Sequence, residues 1–212
     1  MIGAYSKIEN FIKNLAECSV EFKLPVENIY SPRTIASENT VNNLRLYLYE
    51  MLSRKQKYLI VVEAPGYNGC RWSGIPFTSE AVLVNNSFFN QNYKIRDLNK
   101  PQKESSATIV WSCLDEIQIY PLMWNAFPFH PYKDKTNSNR APNSQELKYG
   151  SEILKELINI FNIDKENIFA IGKKAEGILS SFESFNSVKY IRHPSNGGKN
   201  DFIQGMHKCT NS

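Results

Sequence analysis

Four short runs constrain this chain more than any other feature: "KYLIVVE" (57–63), "IQIYPLMW" (117–124), "NIFAIG" (167–172) and "SVKYIR" (187–192). Each is rich in β-branched or aromatic residues and stops at a polar or turn-forming one. "KYLIVVE" is the clearest, a continuous apolar run with the look of a strand buried on both faces. Helical patterns separate the runs. Ile8, Phe11, Ile12 and Leu15 share one helical face, and Leu44, Leu48 and Leu52 do the same in a helix expected over about 38–54. Residues 78–90 are expected to form a helix, as is "SSATIVWSCLDEI" with Ser105 or Ser106 near its cap. "NSQELKYGSEILKELINIF" gathers Ile153, Leu154, Leu157, Ile158 and Phe161 on one side. Further helices are expected from about Lys173 and near 200–208, and a long loop over 126–143. Strands alternating with helices imply right-handed crossovers and a parallel sheet with helices on both faces, one domain over residues 1–212.

The 212 residues suffice for one such domain with a sizeable core. No apolar run approaches the roughly 18 residues of a membrane span. The N-terminal pattern "MIGAYSKIENFIKNL" carries charges where a secretory leader would be apolar, so a cytoplasmic protein is expected. The net charge of +4 fits a nucleic-acid partner without requiring one. Cys18, Cys70, Cys113 and Cys209 form no CxxC pair, so free thiols are expected rather than a metal centre. Neither GxxxxGK[ST] nor GxGxxG occurs, which disfavours an unrelated nucleotide-binding α/β enzyme.

In a parallel α/β sheet, ligands bind beyond the carboxyl ends of the strands. That rule selects loops beginning at Glu63, Asn125, Gly172 and His193. Glu63 runs into the rigid turn Ala64-Pro65-Gly66; it is either a solvated strand-end residue or a functional carboxylate. Phe77, in "SGIPF", is either a core plug under a loop or a stacking platform for a flat ring. Asn125 is a turn residue or an amide reading a nucleobase edge. His193, in "RHPSNGGKN", is structural, or catalytic beside a donor-rich loop shaped to grip phosphates. His130 and His207 have weaker contexts and are assigned no role.

"VEAPG" followed by "GIPF", a strand-end Asn and a late "HPS" resembles the uracil-DNA glycosylase superfamily over about residues 57–205. The resemblance implies a three-layer α/β/α sandwich with a central four-stranded parallel sheet. It implies hydrolysis of the N-glycosidic bond of uracil or a related deaminated or modified base in DNA, as in base excision repair. Glu63 would position or activate the attacking water. Ala64, Pro65, Gly66 and Tyr67 would line the pocket, Phe77 would stack on the flipped base, and Asn125 would read its edge. His193 would hydrogen-bond the base carbonyl as negative charge grows there. Ser195, Asn196, Gly197 and Lys199 would contact phosphates, with further basic contacts from "KIRDLNKPQK" (94–103) or that run a solvated loop. No metal or cofactor is needed, and the partner is single- or double-stranded DNA bound by a monomer.

This sequence departs from the family at several places. Val62 stands where the first motif opens with Gly. Ala64 stands in place of the water-activating Asp, and Gly66 in place of the Tyr, of the uracil-specific branch. The four cysteines lack the pattern of the iron–sulfur branch. Asn196-Gly197-Gly198-Lys199 replaces the apolar wedge that other members insert into the duplex, and a preference for single-stranded DNA is the expectation that follows. The alternative is a member of the same fold that binds a base or nucleic acid without cutting.

Overall fold

The structure is a computed structural model that describes residues 2–182 and 188–210. Its elements in chain order are α1 (Ile2–Ala16), β1 (Val26–Glu27), α2 (Ser37–Ser53), β2 (Leu59–Val62), α3 (Cys70–Ser73), α4 (Glu80–Asn85), α5 (Ser105–Ile117), β3 (Leu122–Asn125), β4 (His130–Pro131), α6 (Ser144–Phe161), β5 (Ile168–Ile171), α7 (Lys173–Ser180), β6 (Lys189–Ile191) and α8 (Lys199–Thr210). The four strands β3-β2-β5-β6 form one sheet in that order, every pairing parallel, with helices on its faces. This is the expected α/β/α sandwich. A separate two-residue antiparallel ladder joins β1 to β4.

The strand sequences explain the sheet order. Every residue of β2, β3 and β5 is buried, as continuous apolar runs require when helices cover both faces. β6 runs from exposed Lys189 through half-buried Tyr190 to buried Ile191, and it takes the edge, where a lysine is tolerated and discourages further pairing. α6 begins with a reciprocal cap: Asn143 Oδ1 accepts from the Glu146 N–H at 3.0 Å, and the Glu146 carboxylate accepts from the Asn143 N–H at 2.9 Å.

Two boundaries differ from the sequence expectations. The helix expected over 78–90 spans only Glu80–Asn85, because the Asn86 side chain accepts from the Phe88 N–H at 2.9 Å and turns the chain away. The strand expected from residue 117 begins at Leu122: Gln118 adopts a left-handed conformation (φ 54°) that ends α5, and Pro121 has no N–H to offer a ladder. α5 begins at Ser105, directly after its cap residue Glu104, so the two serines stand near the cap as expected. Ser187, first residue of the expected fourth strand, lies outside the described residues.

From β2 the chain crosses through α5 to β3 on one side; from β5 it crosses through α7 to β6 on the other. The loops leaving the adjacent carboxyl ends of β2 and β5 therefore diverge, and a crevice opens between them.

Candidate active site

That crevice is the mouth of a cavity of about 770 Å³, whose wall includes Glu63, Ala64, Pro65, Gly66, Phe77, Asn125, His193, Ser195 and Asn196. Most residues singled out in the sequence thus meet in one place. Tyr67, Gly197 and Lys199 do not line it. Tyr67 instead gives its N–H to Asn139 Oδ1 at 3.1 Å, and Lys199 opens α8 with its ammonium 3.9 Å from Glu116.

Glu63 follows directly on β2. Its carbonyl accepts from the Phe127 N–H at 3.1 Å, which ties the turn to the chain leaving β3. Its carboxylate is paired across the crevice with Lys174 of α7 at 3.1 Å. The next carbonyl to be fixed is that of Pro65, 2.8 Å from His130 Nδ1, while His130 Nε2 lies 2.9 Å from the Thr136 carbonyl. His130 is fully buried, and burial holds its pKa below the usual value. This histidine, given no role from the sequence, anchors the turn that carries Glu63.

Asn125 ends β3 and is 2% exposed. Its amide nitrogen donates to Cys70 Sγ at 3.4 Å, Oδ1 has no partner among the described residues, and the residue lines the cavity. Burial pushes the Cys70 thiol well up, so the sulfur stays protonated and neutral. Phe77 is 7% exposed, at a left-handed φ of 50° that costs about 1–2 kcal/mol for a residue with a Cβ. Its ring centre lies 5.4 Å from that of His193. Phe77 is thus mostly packed into the protein and also forms part of the cavity wall.

His193 follows β6, and burial followed by the charge of Arg192 keeps its pKa below the ordinary value, so the ring is neutral at pH 7. The Ser195 N–H points at Nδ1 at 3.2 Å and the Ser195 hydroxyl lies 2.7 Å from the same atom. A backbone N–H can only donate, so Nδ1 carries the lone pair and Nε2 carries the proton. Nε2 has no partner among the described residues. Gly172, at φ 86°, brings the start of α7 close: a Cβ there would sit 3.2 Å from the His193 Cβ.

Sequence reasoning missed part of the wall. Lys133, Lys173, Lys174 and Arg192 give it a cationic rim, and Glu104 stands inside it. The run 94–103, by contrast, is neither a free basic arm nor a solvated loop throughout. The Arg96 guanidinium pairs with the buried Glu80 carboxylate at 3.0 and 3.2 Å and lies over the Trp72 ring at 3.3 Å.

All four cysteines are free, and among the described residues no group of three or more His, Cys, Asp or Glu is arranged to hold a metal ion. No helix among the described residues is long and apolar enough to cross a membrane.

The fold and the cavity together define an α/β/α domain with a polar cleft at the carboxyl edge of a four-stranded parallel sheet. The same fold is found in the crystal structure of wild-type SMUG2 from Pedobacter heparinus, which superposes with a TM-score of 0.74 over 99% of each chain at 17% sequence identity. At the level of sequence, no family model matches and no similar curated protein is found.

Proposed function

We propose that the chain is a DNA glycosylase that hydrolyses the N-glycosidic bond of uracil or a related deaminated or modified base. The observation that carries the reading is the convergence of Glu63, Phe77, Asn125 and a neutral His193 on one cavity. The fold shared with SMUG2, a uracil-DNA glycosylase superfamily member, supports it.

A base inside a duplex is out of reach, so the target nucleotide swings into the cavity. Phe77 stacks on its ring, a contact worth about 1–3 kcal/mol. Asn125 Oδ1 accepts the ring N–H. As the C1′–N bond breaks, its electron pair leaves with the base and negative charge grows on the carbonyl that faces His193 Nε2–H. A preorganised donor at such an oxygen contributes about 3–4 kcal/mol to the transition state. Positive charge grows at the same time on the sugar, where the Glu63 carboxylate stabilises it and orients a water. The water oxygen bonds to C1′ and its proton passes to Glu63 and then to solvent. The rim lysines, Arg192 and the turn at Ser195–Gly197 face the phosphates.

One observation favours a second reading, a base-binding protein that does not cut: Lys174 already occupies one oxygen of Glu63. A gel assay on labelled oligonucleotides carrying uracil, hypoxanthine, xanthine or 5-hydroxymethyluracil, single- and double-stranded, separates the two. Alkali-sensitive breakage at one base is expected, lowered roughly 100- to 1,000-fold in Glu63→Gln and in His193→Ala. Binding without breakage selects the second reading. Wild-type rates in both variants remove the site assignment.

A further inference from the structure

Glu104 is the one carboxyl of the cavity wall that nothing explains. It precedes α5 at the cap position yet makes no capping bond. Among the described residues its side chain has neither a hydrogen bond nor an ion pair. It lies against the turn after Glu63: a Cβ added at Gly66 would come within 2.9 Å of its Oε1, and one at Gly69 would run into Oε2. These two glycines give the carboxyl its room. Cys70, which accepts from the Asn125 amide, lies close enough to Glu104 for that carboxyl's charge to push the thiol further up, and all three line the same cavity. Burial pushes the carboxyl up to about 7, so near neutrality it carries a proton much of the time and both donates and accepts.

A half-buried carboxyl with no partner is poorly solvated, and a protein that keeps one at the wall of a binding cavity gains where a ligand satisfies it. Uracil presents one N–H and two carbonyls: Asn125 Oδ1 takes the N–H, His193 Nε2 one carbonyl, and the second N–H of the Asn125 amide, the first being held by Cys70, the other, so the edge that remains is C–H and offers Glu104 nothing. We propose that Glu104 is a specificity-determining residue whose carboxyl hydrogen-bonds a polar atom that the base carries beyond its lactam edge. Two sources share that chemistry: the N7 acceptor of a fused deaminated purine, and a hydroxyl on C5 of a pyrimidine. This inference rests on the glycosylase reading and adds which bases the cavity prefers.

The test measures single-turnover cleavage of single-stranded oligonucleotides containing uracil, hypoxanthine or 5-hydroxymethyluracil by wild type, Glu104→Ala and Glu104→Gln, with folding checked by circular dichroism. In Glu104→Ala the rate on an extended base relative to uracil is expected to fall about 10- to 100-fold. Glu104→Gln, which still donates and accepts, is expected to restore that ratio to within about threefold of wild type. A fall confined to hypoxanthine assigns the N7 contact; one confined to 5-hydroxymethyluracil assigns the hydroxyl. Equal losses on all bases, an unmoved ratio, or a wild type that cleaves only uracil overturns the inference and leaves the glycosylase reading standing. A folded wild type that cleaves none of the three overturns both.

Discussion

Glu80, the first residue of α4, and Glu104, the residue before α5, are opposites. The Glu80 carboxylate is fully buried and accepts from the Arg96 N–H, the Arg96 guanidinium and the Gln102 N–H, at 2.9 to 3.2 Å. Burial alone would raise its pKa, but the hydrogen bonds from Arg96 and Gln102 and the Arg96 charge bring it below the ordinary value. Glu104 has burial and no partner, and its pKa goes up. A satisfied carboxylate clamps a loop. An unsatisfied one, facing a cavity, waits for a ligand. The two differ in burial as well, Glu80 being fully enclosed and Glu104 half-buried, and the count of partners separates the clamp from the cavity-wall carboxyl.

The largest effect is expected from cutting the clamp. Glu80→Ala leaves the Arg96 guanidinium and two backbone N–H groups without their acceptor. It should lower stability by about 3 kcal/mol, toward the low end for breaking a buried pair because Arg96 keeps some access to water. Urea denaturation at pH 7 measures this. A loss below about 1 kcal/mol would mean that the clamp is decorative and the contrast with Glu104 is empty.

The next largest effect comes from pH, and here the two residues predict opposite slopes. The Glu104 carboxyl is raised from 4.5 to about 7, so within that window the folded protein holds a proton that the unfolded chain has released. Stability is therefore full below about 4.5, declines as pH rises through the window, and stays reduced above it. Glu80, lowered, does the reverse: its contribution is present above the unfolded value and disappears as pH falls through the folded one. Glu104→Gln should abolish the decline between pH 4.5 and 7 and stabilise the protein at pH 8 by about 2–3 kcal/mol, while leaving the acid limb in place. Parallel stability–pH curves for wild type and Glu104→Gln would refute the assignment of a buried neutral acid.

The same contrast shows what the sequence discloses. β2, β3 and β5 are legible because apolar runs buried on both faces have no other place to go, and Glu63, Asn125 and His193 are legible because each stands at or just past the carboxyl end of a strand. Glu104 was not. It lies in a connection without periodicity, and Ser105 and Ser106 beside it are equally good caps on paper; only the approach of the Gly66–Gly69 turn gives it meaning. Arg96 misled for a related reason. A lysine- and arginine-bearing loop reads as a basic surface until the acid that neutralises it, sixteen residues earlier in the chain, is placed underneath it. His130 escaped because its partners, the Pro65 and Thr136 carbonyls, are backbone groups that no side-chain pattern announces.

The smallest effect tests whether geometry or charge does the clamping. Arg96→Lys keeps the positive charge but loses the two-pronged contact to Glu80 and the stacking over Trp72, since a lysine presents a point charge where arginine presents a planar fork. The backbone N–H bond from residue 96 to Glu80 survives the change, so the expected loss is only about 1 kcal/mol. Because the guanidinium is already engaged, the salt dependence of the proposed DNA binding should not move. Lys133→Ala supplies the counter-case. Lys133 is an exposed residue on the cavity rim whose ammonium has no partner among the described residues, and its loss should reduce the slope of log affinity against log salt by about one unit. If Arg96→Lys flattened the slope and Lys133→Ala did not, the phosphate path would run along the 94–103 segment, and the clamp would have to be reread as part of the DNA surface.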